Sequence, residues 1–506
     1  MPLQVPTILV LTPRTITVEL AGVAARDQLD AVLDWRLVAS GDVMQEGQAG
    51  RPVLTVEGLV PGIAYGLEIA GFGGLDFTAP RESALIDIRD HGASKAADNS
   101  AAFAAAIAAA PAGATIYVPP GVWRTGPVFL KSDLCLHLPH GAVLKGLAER
   151  QAYPILDAFD AEGKMQASWE GVPAACFASL LTAIDASHIA IAGKGVIDGA
   201  GAEGDWWDWP KETREGARRP RTVFANRCVD FAMAGVTVRN SPSWTIHPIN
   251  CRKAMFADLA IENPADSPNT DGLNPESSSD VEIVGVRFSV GDDCVAIKAG
   301  KIWPDGRVPE PTRNVSVRHC RMERGHGGVV IGSEMSGSVT DVTVERCTLA
   351  DTDRGLRIKT RRGRGGEVAR IAMRDCVMDG VLTPLAINSH YFCDPDGRSD
   401  AVQNRAPAPV DKTTPHLRDV TFAGIVARNV HHALAYVLGL SESPIMGLVI
   451  EDISVTYDPQ AQAGVPEMAE GLPELRHGGI ITENTTNPII RGIAWPGDSN
   501  SRERAS

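Results

Sequence analysis

Four short motifs in the second half of the chain carry side chains that could do chemistry. They are Asn269-Thr270-Asp271-Gly272, Gly291-Asp292-Asp293-Cys294, Gly325-His326-Gly327 and Arg357-Ile358-Lys359. Asp271 and Asp292 are 21 residues apart. If that spacing is one coil of a solenoid and both side chains face outward, their charges raise the pKa of one carboxyl. A protonated acid beside an ionised base is the pair that glycoside hydrolysis requires.

Each motif alone is weak evidence, because Asp, Asn and Gly are ordinary turn formers. His326 alone could be a half-buried histidine, and Arg357 with Lys359 could be a solvated strand face. Their order along the chain, each about a coil further on, favours a catalytic site. Side chains of a regular strand alternate between faces, so Asp292 and Asp293 can both reach one cleft only if the chain bends or bulges there.

The element that must position these motifs is a repeating one. An apolar-x-x-apolar-x-apolar pattern recurs at Met233/Val236/Val238, Phe256/Leu259/Ile261, Ile283/Val286/Phe288, Val317/Cys320/Met322, Val344/Cys347/Leu349, Met373/Cys376/Met378, Phe422/Ile425/Ala427 and Ile450/Ile453/Val455. Repeats of roughly 20 to 50 residues indicate a solenoid. Because the copies have no helical period, they predict a parallel β-helix, whose coils stack about 4.8 Å apart. Cys320, Cys347 and Cys376 share one register, where buried thiols need not bond.

A different pattern precedes the solenoid. Residues 1–80 hold short alternating runs at 16–20, 31–38, 53–56 and 65–69, which predict a small β-sandwich. Leu59, Pro61 and Tyr65 resemble the tyrosine corner of fibronectin type III domains. A break at 78–82 separates this domain from a second one at 84–506. Near its start, Asp98 and Ser100 are candidate caps for a helix at 101–110.

Composition restricts the class of partner. The chain has 48 Lys and Arg against 62 Asp and Glu, a formal net charge of −14. Nucleic-acid-binding domains are usually basic, so we expect no nucleic-acid partner. An anionic polymer could still bind, through a local cluster of Arg and Lys. No run of about 18 apolar residues occurs, so we expect no membrane span.

The cysteine spacing bears on possible cofactors, and the first residues bear on the cellular compartment. Nine Cys without a CxxC pair predict free buried thiols rather than a zinc or redox site, and we expect neither metal nor cofactor. The first residues show no signal peptide. We therefore expect a cytoplasmic protein, or a periplasmic or secreted one if a signal has been removed. The sequence does not predict the oligomeric state.

Together with DHGAS at 90–94, SPSWTIHP at 241–248 and IGSEMSG at 331–337, the four motifs resemble the polygalacturonases of glycoside hydrolase family 28. The resemblance spans about residues 84–460. It implies an all-β fold, a right-handed parallel β-helix here preceded by the small β-sandwich, and hydrolysis of α-1,4-linked galacturonate with inversion. Two carboxyls one coil apart, judged by their separation alone, would suggest hydrolysis with retention of configuration. We nevertheless expect inversion, which is what the family resemblance implies.

The resemblance also implies roles for particular residues. Asp292 would be the general acid, Asp271 and Asp293 would activate water, and His326 would hold the hydrogen-bond network of the acid. The substrate-binding residues would be Arg357 and Lys359, on a substrate carboxylate, with Asn269 and Tyr391.

The cationic pair Arg357 and Lys359 favours a uronic acid over a neutral sugar, because an Arg fork fits a carboxylate bidentately. The insertion 301–313, the SEMSG sequence and the N-terminal domain resemble the exo-acting branch, so we expect polygalacturonate or oligogalacturonides to be cut from a chain end. The alternatives are an endo-acting or rhamnogalacturonan hydrolase and a non-catalytic glycan-binding β-helix, which would not need three aspartates. A third is a pectate lyase, which uses calcium and an Arg base.

Overall fold

The amino-terminal part is a pair of antiparallel sheets. The computed structural model describes residues 4–20 and 22–497. One sheet has the strand order Thr7–Leu11, Thr15–Glu19, Val53–Glu57, and the other Asp42–Ala49, Leu33–Ala39, Ala64–Ile69, Leu75–Thr78. Residues such as Ile16, Leu37 and Leu67 form the core of this sandwich. The Val60 amide donates a 2.9 Å hydrogen bond to the Tyr65 hydroxyl, and this bond to upstream backbone is typical of a tyrosine corner.

From Leu85 the chain winds into a solenoid whose parallel strands form three faces. Face one consists of Leu85–Asp87, Ala114–Tyr117, Leu134–Leu138, Ser187–Gly193, Val229–Ala234, Arg252–Ala257, Ser279–Val284, Thr312–Arg318, Val339–Glu345, Glu367–Arg374 and the first parts of His416–Val430 and Ile445–Tyr457, followed by Thr485–Thr486. Face two consists of Gly121–Thr125, Ala142–Gly146, Val196–Asp198, Thr237–Arg239, Ala260–Glu262, Arg287–Ser289, Arg321–Glu323, Thr348–Ala350, Val377–Asp379 and the second parts of the same two long strands. The strand Ile489–Ala494 spans both faces, because Ile490 pairs with Ile450 and Ala494 with Ser454.

Face three positions the candidate site. Its strands are Val128–Leu130, Leu181–Ile184, Val223–Asn226, Ile246–Ile249, Asp293–Ile297, Gly327–Ile331, Arg354–Lys359, Thr383–Asn388, Ala433–Leu438 and Gly478–Glu483. Single bridges through Leu273 and Glu276 join its two parts. The predicted fold class, an all-β chain with a right-handed parallel β-helix after a small β-sandwich, is confirmed.

The predicted apolar pattern fills the solenoid. Met233, Phe256 and Ile283 pair successively on face one, while Val238, Ile261 and Phe288 do so on face two. The middle member of the first six copies lies in the turn between these faces, whereas Ile425 and Ile453 lie within the two long strands; all belong to one buried core. All nine Cys are free and eight are buried, as predicted; Cys393 is the exposed exception.

Short elements complete the fold. The helices are Ser100–Ala109 and Asp400–Gln403, the 3-10 helices are Ile88–His91, Arg150–Ala152 and Trp206–Asp208, and two small antiparallel pairs join Ile155–Leu156 to Cys176–Phe177 and Ser168–Trp169 to Val172–Pro173. The predicted helix begins one residue early, where the Ser100 amide donates a 2.8 Å hydrogen bond to Asp98. Phe103 and Ile107 of this helix join the core, so the helix covers the first coils.

The sandwich packs on the outside of the solenoid. Arg318 of face one donates two 2.8 Å hydrogen bonds to Glu19, and Arg51 lies 2.7 Å from Asp258. Val10 packs with apolar residues of face one. The interface therefore combines ion pairs with apolar contact. Among the residues described, no helix is both long and apolar enough to cross a membrane.

Candidate functional site

Backbone hydrogen bonds between coils bring the predicted acidic and histidine motifs together at the edge of face three. The Gly272 amide donates to the Asp293 carbonyl at 2.9 Å, and the His326 amide donates to the Asp292 carbonyl at 3.1 Å. Val330 then pairs with Arg357 on the next coil. The four motifs thus occupy consecutive coils, as their order in the sequence predicted.

The chain bends where adjacent aspartates must share a cleft. Gly291 and Asp292 form a bend, and the strand begins only at Asp293. A Cβ at Gly291 would lie 2.5 Å from the Ser267 carbonyl oxygen, so only glycine fits this close approach. Asp292 consequently faces His326, with 3.3 Å between Oδ1 and Nδ1, while Asp293 Oδ2 accepts a 2.8 Å hydrogen bond from Lys359.

Asp292 and His326 form the exposed part of the site. The His326 side chain is 57% exposed and that of Asp292 22%. Burial would raise the pKa of Asp292, but the hydrogen bond and charge of His326 outweigh it and lower that pKa to about 2. The hydrogen bond to Asp292 in turn raises the pKa of His326 to about 9. Without substrate, the two side chains are therefore an ion pair at neutral pH.

Asp271 lies deeper. Its Oδ2 accepts a 2.7 Å hydrogen bond from Asn274 and is 3.9 Å from the Lys298 ammonium. Burial and the charge of Asp292 raise the pKa of Asp271 well above its usual value. These two shifts run opposite to the roles that the resemblance implies, because a general acid needs a raised pKa and a base a lowered one. Because the two carboxyls titrate as a pair, those roles stay predictions about the substrate complex.

The predicted cationic pair is already engaged by the protein. Arg357 donates 2.6 and 3.1 Å hydrogen bonds to Glu467, and the Lys359 ammonium is held by Asp293. Both cations are buried. Arg357 therefore does not present the free bidentate fork expected from the sequence. Among the described residues its Nη1 atom donates no hydrogen bond.

The two other predicted substrate-binding residues occupy different positions. The Tyr391 ring centroid lies 5.6 Å from the Arg357 guanidinium carbon and 5.3 Å from the Lys359 nitrogen, so Tyr391 lies beside the cationic pair. Asn269 adopts a left-handed backbone with φ 55° and accepts a 2.6 Å hydrogen bond from Arg219. Its amide oxygen thus holds the loop that carries Asp271.

Sequence reasoning assigned no role to three charged residues of the site. Lys298, immediately after the strand of Asp293, lies 3.1 Å from Glu334, which stood in the IGSEMSG motif without a role. Glu467 comes from a loop at 458–477 that carries no recognisable motif. The position of Lys298 after GDDC was a signal that could have been used; nothing in the sequence marked Glu467.

Walls from distant segments enclose the cleft. The Trp169 ring stacks on Trp244 with centroids 6.2 Å apart, and the Lys301 amide donates to the Gly171 carbonyl at 2.9 Å. Lys301, Arg361 and Arg364 all pair with Asp394. Seven buried or half-buried cations, Lys298, Lys301, Arg354, Arg357, Lys359, Arg361 and Arg364, lie among the acidic side chains Asp271, Asp292, Asp293, Glu334, Asp394, Asp396 and Glu467. The cleft thus concentrates cations in a chain that is acidic as a whole.

No group of three or more His, Cys, Asp and Glu side chains in residues 4–20 and 22–497 is placed to hold a metal ion.

Comparison with known proteins identifies the family. The model of "Glycosyl hydrolases family 28" matches residues 157–470. The chain belongs to this family. It is 30% identical over 380 residues to a probable polygalacturonase of Vitis vinifera, covering 74% of this chain and 73% of that protein. An endo-polygalacturonase of Pectobacterium carotovorum subsp. carotovorum is 30% identical over 287 residues, 53% of this chain and 66% of that one.

A solved relative has the same architecture. The crystal structure of an exopolygalacturonase from Thermotoga maritima superposes with a TM-score of 0.64 and 26% identity, covering 81% of this chain and 94% of that chain. The family 28 prediction is therefore confirmed, and membership makes this chain a glycoside hydrolase rather than a lyase or a non-catalytic binder.

Proposed function

We propose that this family 28 enzyme hydrolyses α-1,4-galacturonosidic bonds of polygalacturonate and oligogalacturonides, with inversion. The observation that carries the proposal is the stacking of Asp271, Asp292 and Asp293 beside the buried cations Arg357 and Lys359. The cations concentrated in the cleft suit a polyanionic sugar in a protein of net charge −14. The names of the Vitis and Pectobacterium relatives agree with this substrate.

Asp292 is the proposed general acid because it is the most exposed of the three carboxyls and adjoins the open side of the cleft. A sugar ring over Asp292 and His326 removes their water, and this desolvation raises the pKa of Asp292. The proton of the coupled pair then resides on Asp292, and Asp271 becomes the ionised partner. Asp292 protonates the leaving glycosidic oxygen as the bond breaks.

Asp293 is the proposed holder of the attacking water, together with Asp271. One oxygen of Asp293 accepts from Lys359, and within the described chain the other, Oδ1, is buried with no hydrogen-bond partner. A buried unpartnered carboxylate oxygen is costly, and a water hydrogen would satisfy it. Water oriented there gives up its proton to the ionised base while its oxygen attacks the anomeric carbon, which yields the inverted product.

We also propose that cleavage occurs at a chain end. Trp169 covers Trp244, which lies one coil before Asp271, since the Thr245 amide donates to the Asp271 carbonyl. The hairpin that carries Trp169, formed by Ser168–Trp169 and Val172–Pro173, contacts Lys301 through the Gly171 carbonyl. Lys301 in turn pairs with Asp394 across the site. These contacts on one side of the carboxyls support cleavage at a chain end.

The test is digestion of polygalacturonate and trigalacturonate, followed by chromatography and viscometry. We expect mono- or digalacturonate from the first minutes with little loss of viscosity, and inverted configuration in the first NMR spectra of the product. Asp292→Asn should lose at least about a hundredfold in rate. The matched control, Asp341→Asn, changes an exposed carboxylate of face one and should leave the rate unchanged. Early mixed oligomers would contradict chain-end action, and an active Asp292→Asn variant would contradict the acid.

A further inference from the structure

Lys298 is a buried lysine at the back of the cleft with two carboxylates in reach. Its Nζ atom lies 3.1 Å from Glu334 Oε2, 3.9 Å from Asp271 Oδ2 and 4.7 Å from the centre of the Trp244 ring. Resting on the proposed function, we propose that Lys298 is a positioning residue that keeps Asp271 ionised for water activation, and that Glu334 moderates its strength by sharing the same ammonium.

The charges around Asp271 show why a cation is needed there. The groups that face it are Asp292, Asp293, Lys298, the amide of Asn274 and, more distantly, Arg219. Two of these are anions that oppose ionisation of Asp271, and burial opposes it further. A buried carboxylate without a cationic partner takes up a proton instead. Lys298 lies 3.9 Å away and its charge opposes these effects, so its removal raises the pKa of Asp271 further and disfavours the ionised form that accepts a proton from water.

Glu334 competes for that cation. It is buried, and the charges of Lys298, Lys301, Arg364 and Lys359 hold its pKa below the usual range. Glu334 therefore stays ionised and takes the shorter contact, 3.1 Å against 3.9 Å for Asp271. The same ammonium also lies over the face of the Trp244 ring, a cation–π contact that favours its charged form. If Glu334 is made neutral, the positive charge of Lys298 acts on Asp271 without competition from Glu334. If Lys298 is made neutral, that positive charge is lost.

The two substitutions are thus expected to shift the pH dependence in opposite directions. In Lys298→Met the acid limb of kcat/KM, set by ionisation of the Asp271–Asp292 pair, should move up by about one to three pH units. In Glu334→Gln it should move down. The matched control is Lys145→Met, which removes another ion-paired lysine of the solenoid, on face two, and should leave the limb in place.

Carboxyl ¹³C NMR of aspartate-labelled protein gives a readout that needs no substrate, so failure here is distinct from failure of the proposed function. The Asp271 resonance, assigned with Asp271→Asn, should titrate higher in Lys298→Met and lower in Glu334→Gln. If Lys298→Met does not fold, Lys298→Met/Glu334→Gln, which removes both charges, should fold and still show the upward shift. Unchanged titration in a folded Lys298 variant, or shifts of the same sign in both single variants, would overturn the proposal.

Discussion

Arg357 and Glu467, 110 residues apart in the chain, form a bidentate ion pair beneath the cleft. Asn388 donates a further 3.1 Å hydrogen bond to Glu467, and Arg354 lies 3.4 Å away. Glu467 is fully buried, and the two arginines hold its pKa at about 2 despite that burial. The loop 458–477 is therefore part of the site, because its Glu467 holds the Arg357 guanidinium, which was predicted from the sequence to bind substrate.

Glu467→Gln tests this dependence. The substitution leaves Arg354 and Arg357 buried without their shared anion, and breaking such a pair costs roughly 3 to 5 kcal/mol of unfolding free energy. We also expect KM for oligogalacturonides to rise about tenfold, equivalent to about 1.4 kcal/mol, because Arg357 loses its orientation. Denaturant titration and initial rates measure both. Glu470→Gln, on the same loop but exposed and paired with Arg398, is the control; equal effects of the two changes would refute a special role for Glu467.

The Asp292–His326 pair predicts an abnormal histidine titration. The Asp292 hydrogen bond raises the His326 pKa to about 9, so the imidazolium persists well above the ordinary value of 6.5. A group with a raised pKa stabilises the folded state fully below 6.5, and this stabilisation is lost as pH rises through about 9. NMR titration should give an apparent pKa near 9 in the wild type and a value nearer 6.5 in Asp292→Asn. An unshifted histidine in the wild type would show that the pair does not form in solution.

Acid should weaken the contact between sandwich and solenoid. Burial raises the pKa of Glu19, but the hydrogen bonds and charges of His319 and Arg318 prevail and lower it to about 2. Such a group contributes stability above 4.5 that is lost as pH falls through about 2. At pH 7 Glu19→Gln should cost about 1.5 to 3 kcal/mol in urea unfolding, the range for hydrogen bonds to charged groups, and the difference should narrow towards pH 3. Glu68→Gln, exposed on the sandwich, should cost almost nothing; a constant difference at all pH values would argue against this linkage.

The apolar pattern that fills the solenoid predicts that truncating one core side chain greatly lowers the unfolding free energy. Ile283 is fully buried and pairs with Phe256 and Val317 on the coils before and after it. Ile283→Ala should therefore lower the unfolding free energy by about 2 to 5 kcal/mol through lost burial and a residual cavity. Ile490→Ala, on the last coil and 42% exposed, is the matched control. Comparable losses of unfolding free energy at the two positions would mean that the buried apolar pattern does not stabilise the solenoid.

The repeat and the motifs could be read from the sequence because both depend on short-range regularity. The apolar pattern fixes which residues point inward on each coil, and stacking coils then places Asp271, Asp292 and His326 at neighbouring registers. Even the bend at Asp292 followed from the alternation of side chains along a strand. These features need only the chain's local geometry and its repetition.

The ionisation of the cleft carboxyls and the ion-pair partner of Arg357 could not be predicted in this way. Which carboxyl holds the proton depends on burial, on the depth of Asp271 and on the position of Lys298 relative to Glu334. The pairing of Arg357 with Glu467 depends on a loop without a motif that returns to the cleft after two further strands of face three. The sequence by itself determined the solenoid and the order of the acidic groups on it, because periodic apolar residues dictate stacking. Only the tertiary structure decided the charges within the cleft, because electrostatic energies depend on distances and burial between segments that the sequence places far apart.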